Sequence, residues 1–290
     1  MSHPPLNREE YIEQAYFFCN YHKRLAEGMA SQEILVTLRE EILATTNLPM
    51  AIEFLTSEIL HTGRMSDGMR RLGHYFTPFQ TFVMYQAEED RSKFDQVIGL
   101  EILEREAGYL SQTPTPAGLF LYRFECIARN RLGYDAGLLA VADDPLFDEL
   151  WRKWICQMRH QIGVIDFAET LYRQSEFFLA DKKVHQRQQN ETKQHKTKPE
   201  KTSLFGLAEG RIAKANRGKD PLYMFAALQR QLGYPTVPRP QKKSNEPLFH
   251  PAVEQRFHRL EQRLKMMENE AKGTFDLSQF YKKNEHPKED

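Results

Sequence analysis

Glu58 and His61 are the two residues whose types and spacing best fit a known chemistry, the binding of a metal ion. A glutamate and a histidine three residues apart share one face of a helix, as in helical di-iron sites. Such a site also requires a second copy of the motif and two further glutamates. Because the sequence contains no second copy, we interpret the spacing as a coincidence and predict no bound metal.

No stretch of the sequence carries a known catalytic motif. It lacks the phosphate-binding GxxxxGK[ST] loop, the dinucleotide-binding glycine set, the GxSxG turn and the HExxH zinc motif. His22, His74 and His160 are scattered over predicted helices, where an isolated histidine is usually structural. We therefore predict no catalytic residue and no cofactor. An all-α enzyme or ligand-binding protein with an unrecognised site is kept as an alternative.

Two further clusters of polar or aromatic residues are predicted to be structural. Four carboxylates precede an apolar periodic stretch, where they favour the positive end of a helix dipole: Asp143, Asp144, Asp148 and Glu149. The aromatic stretch at 75–85 places Phe79 and Phe82 on one helical face, which is typical of a packed core. Neither cluster is predicted to carry out catalysis.

The elements that would position these residues are helices, because their boundaries are marked by capping residues. A threonine or aspartate before a proline suits a helix start, and four such pairs occur: Thr77-Pro78, Thr115-Pro116, Asp144-Pro145 and Asp220-Pro221. Thr77 with Gln80 also forms a capping box. Six glycines are placed to end helices: Gly28, Gly63, Gly73, Gly133, Gly163 and Gly233. Between these marks, apolar residues recur at helical spacing.

The predicted fold class is all-α, a multi-helix bundle or stacked helical array of about ten helices, followed by less compact segments. The predicted division, in chain order, is an acidic helical body, a disordered basic tether, a small helical segment, a Pro-rich basic linker, an amphipathic or coiled-coil helix and a tail. The corresponding ranges are 7–181, 182–203, 204–235, 236–251, 252–272 and 273–290.

Charge is distributed unevenly along the chain, although its formal net charge is zero. Residues 1–181 have an excess of acidic side chains, whereas residues 182–243 have an excess of basic ones. The basic arm could neutralise phosphates without reading bases, so a nucleic-acid-associated protein is an alternative function. The contacts expected in that case are Lys182, Lys183, Arg187, Lys193, Lys196, Lys198 and Lys201.

The pattern near the C-terminus predicts self-association through a parallel coiled coil. Apolar residues occupy the a and d positions of consecutive heptads: Val253, Phe257, Leu260, Leu264 and Met267. Charged residues at the flanking positions pair attractively between two copies, Arg256 with Glu261 and Arg263 with Glu268. An amphipathic helix that folds back on its own body is the alternative. The tail adds four apolar anchors for a partner or for the body itself: Phe275, Leu277, Phe280 and Tyr281.

Cellular context is predicted from the cysteines and from the absence of long apolar runs. Cys19, Cys126 and Cys156 are far apart and fit neither a disulfide framework nor a metal clip, so we expect buried free thiols. The first ten residues are polar, and no run is long enough to cross a bilayer. We therefore expect a cytoplasmic protein without membrane association.

Four stretches carry a resemblance to a known group of proteins: HYFTPFQTFV (74–83), RNRLGYDAGL (129–138), DDPLFDELW (143–151) and KDPLYMFAALQRQLGYP (219–235). They resemble a bacterial family of helical proteins that has no assigned activity. The resemblance implies a bacterial origin and a helical fold. It supplies no cofactor, partner or site residue.

The function that these observations favour is that of a non-enzymatic protein-interaction or scaffold protein. The helical body would provide a binding surface, and the C-terminal coil would join two copies into a homodimer. Two linked bodies gain effective concentration on a multivalent partner. The sequence does not identify that protein partner.

Overall fold

The computed structural model describes residues 4–89, 94–189 and 203–239, with only the backbone described for 183–189. Seven further positions are described near the C-terminus: Arg256, Arg259, Leu260, Arg263, Leu264, Met266 and Met267. The chain divides into two units, Met1–Pro240 and Gln241–Asp290. The described residues form helices and contain no strand, which confirms the predicted all-α class.

The first unit contains thirteen helices within the residues that the structure describes. In chain order they are α1 (Arg8–Ala26), α2 (Ser31–Glu41), α3 (Leu48–Thr62), α4 (Met65–Arg71), α5 (Pro78–Glu88), α6 (Gln96–Leu110), α7 (Pro116–Asn130), α8 (Tyr134–Ala142), α9 (Glu149–Arg159), α10 (Phe167–Arg173), α11 (Glu176–Gln189), α12 (Leu207–Ala215) and α13 (Pro221–Leu232). Consecutive helices pack on one another from α2 to α6, and α1 closes this array by packing along α6.

Most of the predicted helix starts are present. The Thr77 hydroxyl accepts from the Gln80 backbone N–H while the Gln80 side chain accepts from the Thr77 N–H, so the capping box is confirmed. Thr115 and Asp220 also accept hydrogen bonds from the first turns of α7 and α13. Each of these helices begins with a proline, whose missing N–H costs no hydrogen bond there.

The pair Asp144-Pro145 does not start a helix, contrary to the prediction. Asp148 caps α9 instead, by accepting hydrogen bonds from the N–H groups of Leu150 and Trp151. Asp144 is buried, and one of its carboxylate oxygens accepts from the Leu146 N–H. Its other oxygen faces a buried arginine, which explains why this carboxylate is not available for a helix end.

Three of the six glycines predicted to end helices do not do so in the left-handed conformation. Gly28, Gly63 and Gly233 adopt it at a helix end, whereas Gly163 adopts it in the loop beyond the cap of α9, and Gly73 and Gly133 do not adopt it. At the end of α7 the left-handed residue is Arg131, at φ 56°. Leu132 follows it and is buried, with its N–H bonded to the Ile127 carbonyl. The helix therefore ends two residues early because Leu132 must pack back on its last turn.

The predicted boundary between the body and the segment 204–235 is not a break in the core. Phe205, Phe225 and Tyr234 are buried in the same apolar cluster as residues of α1 to α10. Phe205 lies against Trp151 and Trp154, with ring centroids 5.2 and 5.3 Å away. This segment therefore supplies part of the core of the first unit, since its aromatic rings cover the faces of α7 and α9.

Backbone hydrogen bonds fasten the chain where it re-enters the core. The Gln174 carbonyl accepts from the N–H groups of Leu204 and Phe205, and the Glu176 N–H donates to the Phe205 carbonyl at 2.9 Å. The two ends of the intervening segment, at 174–176 and 204–205, are thus held side by side. That segment includes the predicted tether.

Candidate interaction surface and buried polar centre

Three of the apolar residues predicted to mediate self-association lie among the described C-terminal positions. Leu260, Leu264 and Met267 are helical and are 54%, 59% and 64% exposed. Their spacings of four and three residues place them along one side of a helix. The other two predicted seam residues, Val253 and Phe257, lie outside the described residues.

Three arginines among the described C-terminal positions are helical and exposed: Arg256, Arg259 and Arg263. Arg256 and Arg263 flank the apolar seam in the predicted heptad, whereas Arg259 and Met266 lie on its outer side. Glu261 and Glu268, their predicted partners in a second copy, fall outside the described residues. The described positions thus combine an exposed apolar row with basic residues beside it.

The basic arm begins inside a helix, so the predicted disorder of 182–203 does not hold at its start. The backbone of α11 continues to Gln189 and includes Lys182, Lys183 and Arg187. This extension adds i to i+4 backbone hydrogen bonds to a helix that Phe177 and Phe178 anchor on the core. The other predicted phosphate contacts (Lys193, Lys196, Lys198 and Lys201) and the tail anchors (Phe275, Leu277, Phe280 and Tyr281) lie outside the described residues.

Glu58 and His61 do not form part of a cluster of metal ligands. The buried carboxylate of Glu58 accepts from Arg71 Nη1 at 2.7 Å. In the part of the chain that the structure describes, three or more potential metal-binding side chains do not gather anywhere. Glu58 therefore links α3 to the end of α4 through an ion pair with Arg71.

A fully buried arginine lies at the centre of the first unit. Arg123 on α7 donates from Nε to Glu106 Oε1 of α6 at 2.5 Å. Its Nη2 lies 2.7 Å from Asp144 Oδ2, in the loop after α8. All three side chains are excluded from solvent. Two carboxylates around one guanidinium leave this centre with a formal charge of −1.

Charge and burial act in opposite directions on the ionisation of this centre. Burial opposes the charge of Arg123, but Asp144 and Glu106 raise its pKa above the ordinary arginine value. Burial raises the pKa of Glu106, although Arg123 works against that increase. The guanidinium also lies 5.0 Å from the centre of the Phe79 ring, which supplies a favourable cation–π contact.

Other buried polar groups extend this centre towards α1. Glu10 accepts from the Tyr75 hydroxyl at 2.8 Å and from the Asn47 backbone N–H at 2.8 Å. Gln80 donates to the Gln14 side chain at 3.1 Å. These bonds tie α1 to α5 through buried groups, and to the start of α3 through the exposed Asn47. The arrangement orients helices, because each polar group depends on a partner from another element.

A second buried pair secures the C-terminal end of the first unit. Glu125 and Arg129 form an ion pair one turn apart on α7. The other oxygen of Glu125 accepts from the Tyr234 hydroxyl at 2.8 Å. Tyr234 also donates to the Phe225 carbonyl at 3.1 Å. Burial and the nearby Glu125 carboxylate raise the pKa of this phenol, so it stays protonated and able to donate.

The sequence reasoning missed the buried centre because its residues have no regular spacing. Glu106 and Arg123 belong to predicted helices, and Asp144 was assigned to a helix start. One signal was available: Arg123 lies among Leu119, Phe120 and Tyr122 in an almost continuous apolar run. An arginine within such a run requires a buried carboxylate partner.

The cysteines are free, as expected, but only one is fully buried. Cys126 lies inside α7, whereas Cys19 and Cys156 are partly exposed. No helix in the described part of the chain combines the length and the apolar character that crossing a membrane would require.

Comparison with known proteins leaves the geometry as the basis for a functional proposal. No family model, curated protein or solved structure matches this chain. The resemblance to a bacterial helical family therefore stays a prediction.

Proposed function

We propose that this protein is a non-enzymatic interaction protein that self-associates through its C-terminal helix. The observation that supports the proposal is the exposure of Leu260, Leu264 and Met267 at successive heptad positions. Burial of a large aliphatic side chain contributes roughly 1.5–3 kcal/mol. Three such residues on each of two copies provide a substantial driving force for association.

Charge supports a parallel arrangement of two helices. Arg256 and Arg263 are exposed beside the apolar row. In a parallel dimer they approach Glu261 and Glu268 of the second copy, according to the heptad of the sequence. An antiparallel pair would not place these residues opposite one another in the same register.

The length of the helix determines the strength expected of the dimer. The predicted coil spans 252–272, which is three heptads, and a coil of this length is marginal on its own. We therefore expect a reversible dimer whose population rises with protein concentration. Its value to the cell is avidity, because two linked bodies bind a multivalent partner more tightly than one.

The test compares two substitutions that introduce the same charge on the same helix. Leu264→Asp places a carboxylate in the seam, and Met266→Asp places one on the outer side; the original side chains are 59% and 54% exposed. Mass is measured by light scattering during gel filtration, over a range of concentrations. The monomer has a mass of 34.1 kDa.

We expect the wild type and Met266→Asp to approach twice the monomer mass as concentration rises, and Leu264→Asp to stay monomeric. Circular dichroism should show the same thermal unfolding of the first unit in all three proteins. If Leu264→Asp and the wild type have equal masses at every concentration, the helix does not mediate self-association.

A further inference from the structure

A cavity of about 460 Å³ lies between α7, α10, the loop 160–166 and the start of α13. This volume is within the range of small-molecule sites in proteins. None of the residues of the buried polar centre lines it. We refer to it as the aromatic pocket.

Aromatic rings form much of the wall of the aromatic pocket. Phe124 and Phe167 stack with their ring centroids 4.1 Å apart and their planes 17° apart. Tyr134 lies 6.0 Å from Phe124, and Phe225 lies 5.8 Å from Phe167. Tyr134 is 38% exposed, so one wall is reached from solvent. Flat rings at these angles favour a flat apolar guest that can stack on them.

The rim of the aromatic pocket has an unusual apolar residue. Val164 is 86% exposed, the highest fraction among the large apolar side chains described in the first unit. It follows Gly163, whose φ of 85° allows the loop to turn sharply at this point. An exposed valine at the mouth of an apolar cavity would be covered by an occupant.

A smaller polar cavity of about 190 Å³ adjoins the aromatic pocket. The two share Gln161, Ile165 and Thr170 as lining residues. The polar cavity is also lined by Trp154, Gln157, Arg173 and Gln174. An apolar compartment thus lies next to one rich in hydrogen-bond donors.

The donors of the polar cavity are largely unused. Within the described residues, the side-chain amides of Gln157, Gln161 and Gln174 make no hydrogen bond, and neither does the Trp154 indole N–H. Arg173 donates from Nε to Glu169 at 2.5 Å. Arg217 contacts the other oxygen of the same Glu169 at 2.7 Å.

An arginine lines the polar cavity and would attract an anion. Arg173 and Arg217 share the Glu169 carboxylate, and the Asp166 carboxylate, which lines the aromatic pocket, accepts hydrogen bonds from the backbone N–H groups of Ala168 and Gly218. Arg173 is the arginine that lines the polar cavity. A carboxylate is a strong acceptor for guanidinium, amide and indole donors.

We propose that the aromatic pocket and the adjoining polar cavity together bind a small planar aromatic carboxylate. The ring system would lie against Tyr134 and the Phe124–Phe167 pair, and the carboxylate would accept hydrogen bonds in the polar cavity. This site is independent of self-association. For a ligand of about a dozen heavy atoms, a Kd of roughly 1 mM or below is expected.

The experiment titrates the full-length protein with 2-naphthoate and, separately, with the uncharged 2-naphthalenemethanol. The indole N–H signals are followed by two-dimensional ¹⁵N–¹H NMR, since the chain has only two tryptophans and Trp154 lines the polar cavity. We expect 2-naphthoate to shift the Trp154 signal saturably and to bind more tightly than the alcohol.

Two substitutions separate the polar and apolar parts of the site. Arg173→Gln should weaken 2-naphthoate by roughly three- to tenfold and leave the alcohol unchanged, whereas Tyr134→Ala should weaken both. Arg152→Gln is the matched control, because Arg152 is an exposed, ion-paired arginine that lines neither cavity. If Tyr134→Ala unfolds, Val164→Asp at the exposed rim replaces it and should weaken 2-naphthoate.

Either of two results would overturn the proposal. One is the absence of saturable 2-naphthoate binding at millimolar concentrations. The other is an affinity for 2-naphthoate that Arg173→Gln changes no more than Arg152→Gln does.

Discussion

Arg123 and Arg263 show how differently one residue type is used in the two units of this chain. Arg123 is enclosed by Glu106, Asp144 and the Phe79 ring, with no exposure to solvent. Arg263 is exposed on the C-terminal helix beside an apolar row. The first arginine holds elements of one chain together, whereas we propose that the second meets another molecule. Burial decides which role an arginine has, because a buried charge cannot exchange its partners for water.

The energetic consequence of this contrast follows from desolvation. Three charges inside a protein are costly to bury, and their attraction offsets that cost only while all partners are present. An exposed charge loses little hydration and gains little from a neighbour. Substitutions should therefore have large effects on stability at the buried centre and almost none on the C-terminal helix.

The largest effect is expected for Arg123→Ala. It leaves Glu106 and Asp144 buried without their cation, and we expect the free energy of unfolding to fall by about 3–5 kcal/mol. Urea denaturation followed by circular dichroism measures the change. Arg152→Ala, which removes an exposed arginine paired with Asp143, is the control and should cost about 0–1 kcal/mol. If both variants lost a similar amount of unfolding free energy, buried and exposed arginines would not differ in their contribution to stability.

An intermediate effect is expected at alkaline pH from buried tyrosines. Burial raises the pKa of Tyr21 to about 12, from the ordinary value of 10.0. Between these values the unfolded chain loses the phenolic proton and the folded protein keeps it. Stability is therefore full below pH 10 and falls as the pH rises towards 12, by roughly 2–3 kcal/mol from this group.

Tyr21→Phe isolates the contribution of that one residue. The variant should lose less stability than the wild type between pH 10 and 12, because its buried ring cannot ionise. At neutral pH the substitution should cost about 1 kcal/mol or less, because it removes a single neutral interaction between the Tyr21 hydroxyl and the Ser31 side chain. Denaturation curves at several pH values provide the measurement, and parallel losses in both proteins would argue against this origin.

The smallest effect on stability is expected for Arg263→Ala. The side chain is exposed, so the free energy of unfolding of the first unit should change by less than about 0.5 kcal/mol. The same substitution should weaken self-association modestly and reduce its salt dependence, since one attractive pair per copy is lost. Sedimentation at two salt concentrations tests this. A destabilised first unit would mean that Arg263 has a structural partner.

Local signals in the sequence were sufficient to predict the helices but not to predict the buried polar centre. Thr77, Thr115 and Asp220 cap helices as predicted, because a cap is decided by residues within one turn. Asp144 has the same local pattern and a different role, because its partner is Arg123 on another helix. Composition indicated a flexible junction after residue 181, but it could not show that Phe205 returns to cover Trp151 and Trp154.

The aromatic pocket could not be predicted from local sequence signals either. Gln161, Arg173 and Phe124 are far apart in the sequence and have no motif in common. Only their placement around two neighbouring cavities suggests a ligand. The predicted seam at 253–267, in contrast, repeats every seven residues and could be proposed from the sequence alone.

The return of residues 204–237 to the core has a consequence for biosynthesis. Asn130 donates to the Pro238 carbonyl, and the Tyr109 hydroxyl donates to the Leu232 carbonyl, each across more than a hundred residues. A ribosome makes the chain from the N-terminus, so these contacts cannot form until nearly the whole first unit has emerged. Until then Phe120, Phe124 and Trp154 lack their contacts with Phe205 and Phe225 and stay partly exposed to solvent. A messenger RNA truncated before codon 230 would therefore yield an incompletely folded, aggregation-prone protein and not a shorter functional one.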